Sequence, residues 1–480
     1  MELTVIGRRF DRPRVFDGPQ LPADLAVLDE LSTQVADADL AAPPVVLPDF
    51  HHKSNMELPS SVAVATVDTV RPTFTSASVN CGMALIALDC DRPGRAGIEE
   101  FYRRVRERYP YPARNLRELS AKEVRRAAVD GALFAAERFG VDGDELARVE
   151  EYGRVDLDRY GGAARLAREL PALAFQLARL RFGTVGPSNH FIELQVVEEV
   201  LDEGAAAALG VRAGQLTLQY HAGGGVLTGE IGALFGRRKH YPRQLRMAMA
   251  VQKPLYHLAT ARSYGQLRQR LALYFSGAFP PVDRHSGEGQ RLLLANAAAM
   301  NYGFAFRMAT YAALKRVAAD VFGGTGGRLV VDSPHNSIYE EPIPGGAPGE
   351  TAVVHRHNSC RAYPAELADP GTVFAQTGQA VLLPGTCRTS SYLAVAGPRA
   401  GDSLHSACHG AGTLVADFAG KGLSGPHREG HQTLRFRYRD EAPAQVAHYD
   451  DNGVNAALGV LTDHGLVRPV ARLRPFAVLN

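Results

Sequence analysis

The chain has 480 residues, of which 45% are apolar and 22% charged, with a formal net charge of +2. This balance excludes a largely disordered chain, and the net charge by itself implies neither a nucleic-acid tail nor a membrane patch. At this length a sizeable core can be buried, in two or three domains or in one large α/β unit.

The opening stretch, MELTVIGRRFDRPRVF, has no apolar signal-peptide core, and no uncharged apolar run of about 18 residues occurs anywhere. The expectation is a cytoplasmic protein that does not span a membrane. A short strand and a helix over Leu25–Val35 come first, then a Pro-rich hinge, AAPPVVLP, leading into PDFHHKSNMELPSS. SVAVAT (61–66) and MALIAL (83–88) read as strands. Residues 96–180 are helical in pattern, with GIEEFYRRVRERY as the clearest amphipathic stretch and Pro171 as a breaker; residues 90–180 are a candidate helical lobe. FIELQVV and LTLQYH read as strands, and residues 287–321 as a long helix rich in Ala, Leu and Met. Short strands follow between Gly/Pro turns, namely RLVVD, AVVHRH, AVLLP and SYLAVAG. A helix over residues 455–464 and a terminal strand, VARLRPFAVL, close the chain. No repeat has a fixed period and no linker splits the chain, so the fold class is α+β, one mixed α/β domain over residues 1–480.

Cysteines stand at 81, 90, 360, 387 and 408. Their odd number, wide spacing and lack of CxxC fit reduced thiols better than a disulfide framework. Several histidines end strand-like runs beside Gly, Asn or Pro: GPSNHFIE, LTLQYHAGGG, VVDSPHNSIYE and SACHGAG. Strand ends in tight loops are where ligands meet rigid groups. Cys81, His190, His221 and His335 carry the donor types that suit Zn, Mn, Co or Fe better than Mg. Their long-range spacing leaves satisfied core or loop histidines, and a small buried apolar cysteine, as the alternative readings. HGAG (409–412) and PGTCRTSS (384–391) could cradle phosphates or be plain turns; neither is a Walker A loop. Only six of the 53 basic residues are Lys, which fits a coding bias or Arg forks on phosphates.

Taken in order, SVNCGM (78–83), GTVGPSNHFIELQ (183–195), DSPHNSIYEE (332–341), LLPGT…SSYLAVAG (382–397) and SACHGAG (406–412) resemble the RtcB-type RNA ligase family. The resemblance runs from PDFHH to the C-terminus. It implies a fold with a deep central metal and nucleotide cleft. It also implies the joining of an RNA 3′-phosphate or 2′,3′-cyclic phosphate to a 5′-hydroxyl, with GTP and one or two Mn ions. By the same match, His409 is the nucleophile that forms a GMP–histidine, and Cys81, His190, His221 and His335 are the metal ligands. Glu193 falls on the guanine edge and Phe191 beside the base. Asn189 and Asn336 fall on phosphates. Pro384, Gly385, Thr386 and Ser391, with Gly410, Ala411 and Gly412, fall on the nucleotide loops. Asp49 and His51 match a DxHxG motif whose glycine is Lys53 here. An archease-like activator is an implied partner.

The chain also departs from the family pattern. Ser78 stands for an Asp, Gly225 for the Arg of HSGSRG, His357 for a Lys, Thr413 for the Arg of HGAGR, and Asn480 for a terminal Lys. Charged hydrogen bonds are worth about 1.5–3 kcal/mol each, so three or four losses weaken GTP use by orders of magnitude unless other residues substitute. Three readings follow: a divergent ligase, a non-catalytic binder of RNA ends, and a metal-dependent cyclic phosphodiesterase.

Overall fold

Most strands of this protein are covered on both faces, so their sequences read as apolar runs without strict alternation. Gly82–Ala87, Leu216–Ala222 and Ser391–Ala396 are buried at every position. The computed structural model describes residues 10, 12–54, 56–74, 78–110, 118–179, 182–183, 185, 189–236, 243–276, 280–324, 326–347, 349–440 and 442–480. Ten residues of the opening stretch, 1–9 and 11, and residues 184 and 186–188 of the GTVGPSN segment, therefore lie outside the described residues.

The protein is a mixed α/β structure built on two main sheets. The larger runs in the order Ala380–Leu383, Ser391–Ala396, Val467–Leu479, Phe191–Val200, Leu216–Ala222, Gly82–Ala87, Arg328–Pro334. Every pairing along that path is antiparallel. Gln432–Phe436 joins it in parallel beside the terminal strand. The smaller sheet runs Arg14–Val15, Val45–Val46, Val62–Thr66, Thr351–His357, Asn336–Pro342. A single residue, His335, separates the last strand of the larger sheet from the last strand of the smaller one.

The helix Gly287–Phe322 is buried almost all round through its middle, as a helix without a polar face must be. Ser286 caps it by accepting from the Gly289 N–H (3.0 Å). Arg95–Arg108, Ala121–Asp130 and Ala132–Phe139 pack on it and share one apolar cluster with strands of the larger sheet. Ser120 and Glu123 form a reciprocal capping box at Ala121–Asp130. Pro171 ends the helical run as expected, standing between Gly162–Glu169 and Ala172–Ala178. Helices that the sequence reading does not announce also form, among them Glu203–Leu209, Gly225–Phe235, Arg243–Lys253, Tyr264–Tyr274 and Gly412–Gly420. No helix among the described residues is long and apolar enough to cross a membrane, and all five cysteines are unpaired.

Candidate functional site

The larger sheet brings three chain-distant residues level. Met83 pairs with His221, and His221 pairs with Phe191, so Cys81 and His190 sit just before their strands at the same edge. His335 joins them because its N–H donates to the Cys81 carbonyl (2.8 Å), while the Asn80 N–H donates to the Asn336 carbonyl (2.9 Å). The Ser359 N–H in turn donates to the His335 carbonyl (3.0 Å), and Ser359 pairs with Cys408. That last pairing carries His409 to the same place.

The side chains converge. Cys81 Sγ lies 3.2 Å from His221 Nε2 and 3.6 Å from His190 Nε2. His221 Nε2 lies 3.0 Å from His335 Nε2. The donor atoms of Cys81, His221 and His335 all fall within 4.8 Å of one another. The ring of His409 is centred 4.5 Å from that of His335.

Burial sets the protonation of this group. It pushes the Cys81 thiol up to about 12, opposed chiefly by the Arg307 guanidinium. It drives His221 and His335 well below the ordinary imidazole value, with the neighbouring histidines adding to the effect. His409 is lowered to about 3, again by burial first and then by Lys53. All three imidazoles are therefore neutral at pH 7 and carry a free lone pair. The Asn189 carbonyl lies 3.0 Å from His221 Nδ1, which makes that nitrogen the N–H and aims the Nε2 lone pair at Cys81 and His335. His335 Nδ1 and His409 Nδ1 are buried with no hydrogen-bond partner. One thiol and two neutral imidazoles facing a common point are a donor set for a borderline-soft divalent transition ion. A metal would also remove the thiol proton that burial otherwise holds in place.

Phe191 and Glu193 share one face of their strand, since side chains two apart point the same way. Phe191 lies edge-on to His221, with centroids 5.9 Å apart. Glu193 is buried and accepts from Gln195 Nε2 (2.8 Å); burial raises its carboxyl to about 8. Asn189 is exposed. Asn336 is buried, with Nδ2 on the Ser78 carbonyl (3.2 Å) and Oδ1 accepting the Asn358 N–H (2.9 Å). The two Gly-rich loops touch, the Ala411 N–H donating to the Pro384 carbonyl (2.9 Å). Within the first loop the Gly385 N–H reaches Ser391 Oγ (3.2 Å) and the Thr386 N–H reaches Thr389 Oγ1 (2.9 Å). Gly410 and Gly412 lead into the helix Gly412–Gly420, whose third N–H, from Leu414, donates to Asp49 Oδ1 (3.1 Å).

The departures also have structural settings. Ser78 is exposed in the turn before Cys81. His357 Nδ1 is 2.9 Å from the Pro59 carbonyl. Asn480 accepts from Arg435 Nε (2.9 Å). Gly225 has φ +76°, and a Cβ there would come within 2.9 Å of the Phe306 ring.

Three supporting residues escaped sequence reasoning. Arg307 is fully buried behind Cys81, with Nε on Asp332 Oδ1 (2.7 Å) and Nη1 on both Asn80 oxygens. An arginine in the run FAFRMATYAAL, apolar on both sides of it, is the signal that could have marked it. Asn80 takes a left-handed backbone (φ 56°), which Asn tolerates, so that the chain turns sharply into Cys81. Its side chain donates to the Met300 carbonyl, and Gly303 leaves it the room. Asn358, also left-handed, places its main-chain carbonyl to accept from the His409 ring.

The family model described as tRNA-splicing ligase RtcB matches residues 33–480. The RNA-splicing ligase RtcB of Mycobacterium tuberculosis is 29% identical over 449 residues, which cover 90% of this chain and 96% of that protein. The tRNA-splicing ligase RtcB of Thermococcus kodakarensis is 26% identical over 453 residues, covering 90% and 86%. The Pyrococcus furiosus tRNA-splicing ligase RtcB is 28% identical over 368 residues, 73% of this chain but 34% of its own length. The chain thus spans nearly all of the mycobacterial relative and about a third of the Pyrococcus one. A family-model match over nearly the whole chain makes this protein a member of the RtcB family.

Proposed function

We propose that this protein is an RNA ligase that joins a 3′-phosphate or 2′,3′-cyclic phosphate end to a 5′-hydroxyl end through a GMP–His409 intermediate, using GTP and manganese. The observation that carries the reading is His409, half-buried and neutral, packed against one member of the Cys81/His221/His335 cluster.

A cyclic end is first opened by water, whose hydroxyl adds to phosphorus as the P–O2′ bond breaks and whose proton goes to the 2′-oxygen; three displacements follow from the 3′-phosphate. The lone pair of His409 attacks the α-phosphorus of GTP, and pyrophosphate leaves with the bonding pair. A 3′-phosphate oxygen of the RNA then attacks the same phosphorus, and the P–N bond breaks back to neutral imidazole. The 5′-hydroxyl finally attacks the RNA phosphorus, GMP departs, and the hydroxyl proton goes to solvent or a nearby base. Manganese held by Cys81, His221 and His335, with His190 alongside, would neutralise triphosphate charge. Glu193, once ionised, accepts two N–H groups from the guanine edge, and Phe191 packs beside the base. The loops with Pro384, Gly385, Thr386 and Ser391, and with Gly410, Ala411 and Gly412, offer main-chain N–H groups to phosphates, as do the side chains of Asn189 and Asn336. Asn336 must exchange its bonds to Ser78 and Asn358 to do so. Unpaired cysteines fit a reducing cytoplasm.

The test is incubation with radiolabelled GTP and manganese, with and without an archease-like activator. An acid-labile label on the protein, lost in His409→Ala and kept in His405→Ala, is the expected result; a label that persists in His409→Ala sinks the assignment. A second reading is favoured by Gly225, where the packing of Phe306 leaves no room for the guanidinium that the family places there: a non-catalytic binder of RNA ends. It predicts tight RNA binding and no label. A cyclic phosphodiesterase would open the cyclic end, also without label.

A further inference from the structure

Between Glu230 and Asp283 the sequence has no Asp or Glu and nine Lys or Arg, in a chain where 51 of 480 residues are acidic. The described part of this span folds into the helix Arg243–Lys253, the turn Pro254–Leu258 and the helix Tyr264–Tyr274. The second helix is clamped from its inner side. Arg270, buried, donates to the His257 carbonyl (3.0 Å) and Thr260 Oγ1 (2.8 Å) and pairs with Glu288 (2.5 Å).

That clamp fixes what faces outward. Spacings of three and four put Arg243, Met247, Val251 and Leu255 in one row, and Tyr264, Arg268, Leu271 and Phe275 in another. All eight are exposed, Tyr264 to 80% and Met247 to 72%. Six of the thirteen exposed large apolar side chains among the described residues lie in these two rows. Arg243, Arg246, Arg262 and Arg268 form no ion pair among the described residues. By contrast the exposed helix Arg95–Arg108 neutralises its own arginines, as in Arg95–Glu99 and Arg104–Glu100.

We infer that this face is a docking surface for the body of the RNA substrate, away from the reacting ends. The inference rests on the ligase reading. Unpaired guanidiniums present planar forks to phosphates, and Tyr264 and Phe275 present ring faces to unstacked bases. A second copy of the chain is disfavoured, because each cation would meet another cation with no carboxylate on either side. The helix Gly225–Phe235 starts four residues after His221, runs for about 15 Å, and precedes this basic span in the sequence.

The experiment uses the full-length protein without GTP and a stem-loop RNA bearing a 3′-phosphate. Fluorescence anisotropy is measured over a series of salt concentrations. The triple variant Arg243→Gln, Arg246→Gln, Arg268→Gln should bind at least about tenfold more weakly, with a salt slope lower by about two to three. The matching triple Arg→Lys variant should keep the slope, which separates charge from folding. Tyr264→Ala with Phe275→Ala should weaken binding and leave the slope alone. Self-labelling by GTP, read separately, should be unchanged in every variant. A wild type that labels itself yet binds this RNA no better than the triple Gln variant overturns the surface and leaves the ligase reading standing. So does a triple Gln variant whose only loss is binding to phosphatidylglycerol vesicles or to an acidic protein. A wild type that neither labels nor binds RNA overturns both.

Discussion

Glu193→Gln should make the protein more stable at alkaline pH and impair its use of guanine nucleotides. The carboxyl sits between strands Leu216–Ala222 and Val467–Leu479, opposite Gln219 and Val478, with only 4% of its surface exposed. Burial raises it from 4.5 to about 8, with the Gln195 amide as the one opposing influence. The folded state therefore holds a proton that the unfolded chain has released above its ordinary value. Stability is full below about pH 4.5 and falls as the pH rises to about 8, by about 1.4 kcal/mol per pH unit. The whole fall is about 5 kcal/mol. Glutamine keeps the shape and the hydrogen bond to Gln195 but does not ionise, so this pH-linked loss disappears. Urea unfolding of both proteins at pH 5 and pH 8.5 measures it: the variant should gain several kcal/mol on the wild type between the two conditions, at equal m. The nucleotide half of the prediction has the opposite sign. Guanine needs the carboxylate, so wild-type affinity for GTP should rise about tenfold per pH unit until about pH 8, while the variant binds weakly and without that slope. An identical stability difference at both pH values would refute the reasoning, since it would mean that Glu193 titrates alike in the folded and unfolded states.

Gly225→Arg, which recreates the family's residue type, should destabilise by about 2–5 kcal/mol in thermal or urea unfolding, because it needs a positive φ and overlaps Phe306; Gly225→Arg with Phe306→Ala should recover part of that loss, and an unchanged midpoint in the single variant would count against the packing argument. Arg307→Met should cost about 3–5 kcal/mol by leaving Asp332 buried without its partner. A double variant that also carries Asp332→Leu should be markedly less destabilised than the two single losses added together, which a double-mutant cycle reads directly. Ser78 is neutral where the family has a carboxylate, so metal content without nucleotide should be near one ion per chain, and Ser78→Asp should add a second; two ions in the unmodified, nucleotide-free protein would show that another residue supplies the missing charge.

Much of the architecture is legible in the sequence. The helix Leu25–Val35 forms over the residues expected, and the long helix ends at Phe322, one residue past its expected end. Strands Val62–Thr66, Gly82–Ala87 and Phe191–Val200 sit where their β-branched and aromatic runs point. Gly225–Phe235 was not legible, because three glycines and burial over most of its length leave neither propensity nor an apolar stripe. Asn336–Pro342 pairs along its whole length with Thr351–His357 at the edge of the smaller sheet, yet two adjacent glutamates and a proline obscure its pattern. For the candidate site, motif resemblance named the residues, but spacing could not bring Cys81 to His335. Their approach depends on the pairing of Gly82 with Pro334 across two strands far apart in the chain. Asn80 lies within SVNCGM and Arg307 outside every motif segment, yet neither pattern shows their contact, which exists only once the long helix has docked beneath the sheet.

His335 is the lone residue between two strands that belong to different sheets, and this has a consequence for the order of assembly. In a zinc finger, ligands a few residues apart can seize an ion and drag the chain into shape. Here no stretch of nascent chain holds more than one of Cys81, His221 and His335, and none of these meets the others until both sheets have formed and joined. An ion bound there would have nothing to template and would arrive as the last tenant of a finished scaffold. Its capture would mark a correctly folded molecule, and a chelator should empty the cluster without unravelling the strands around it.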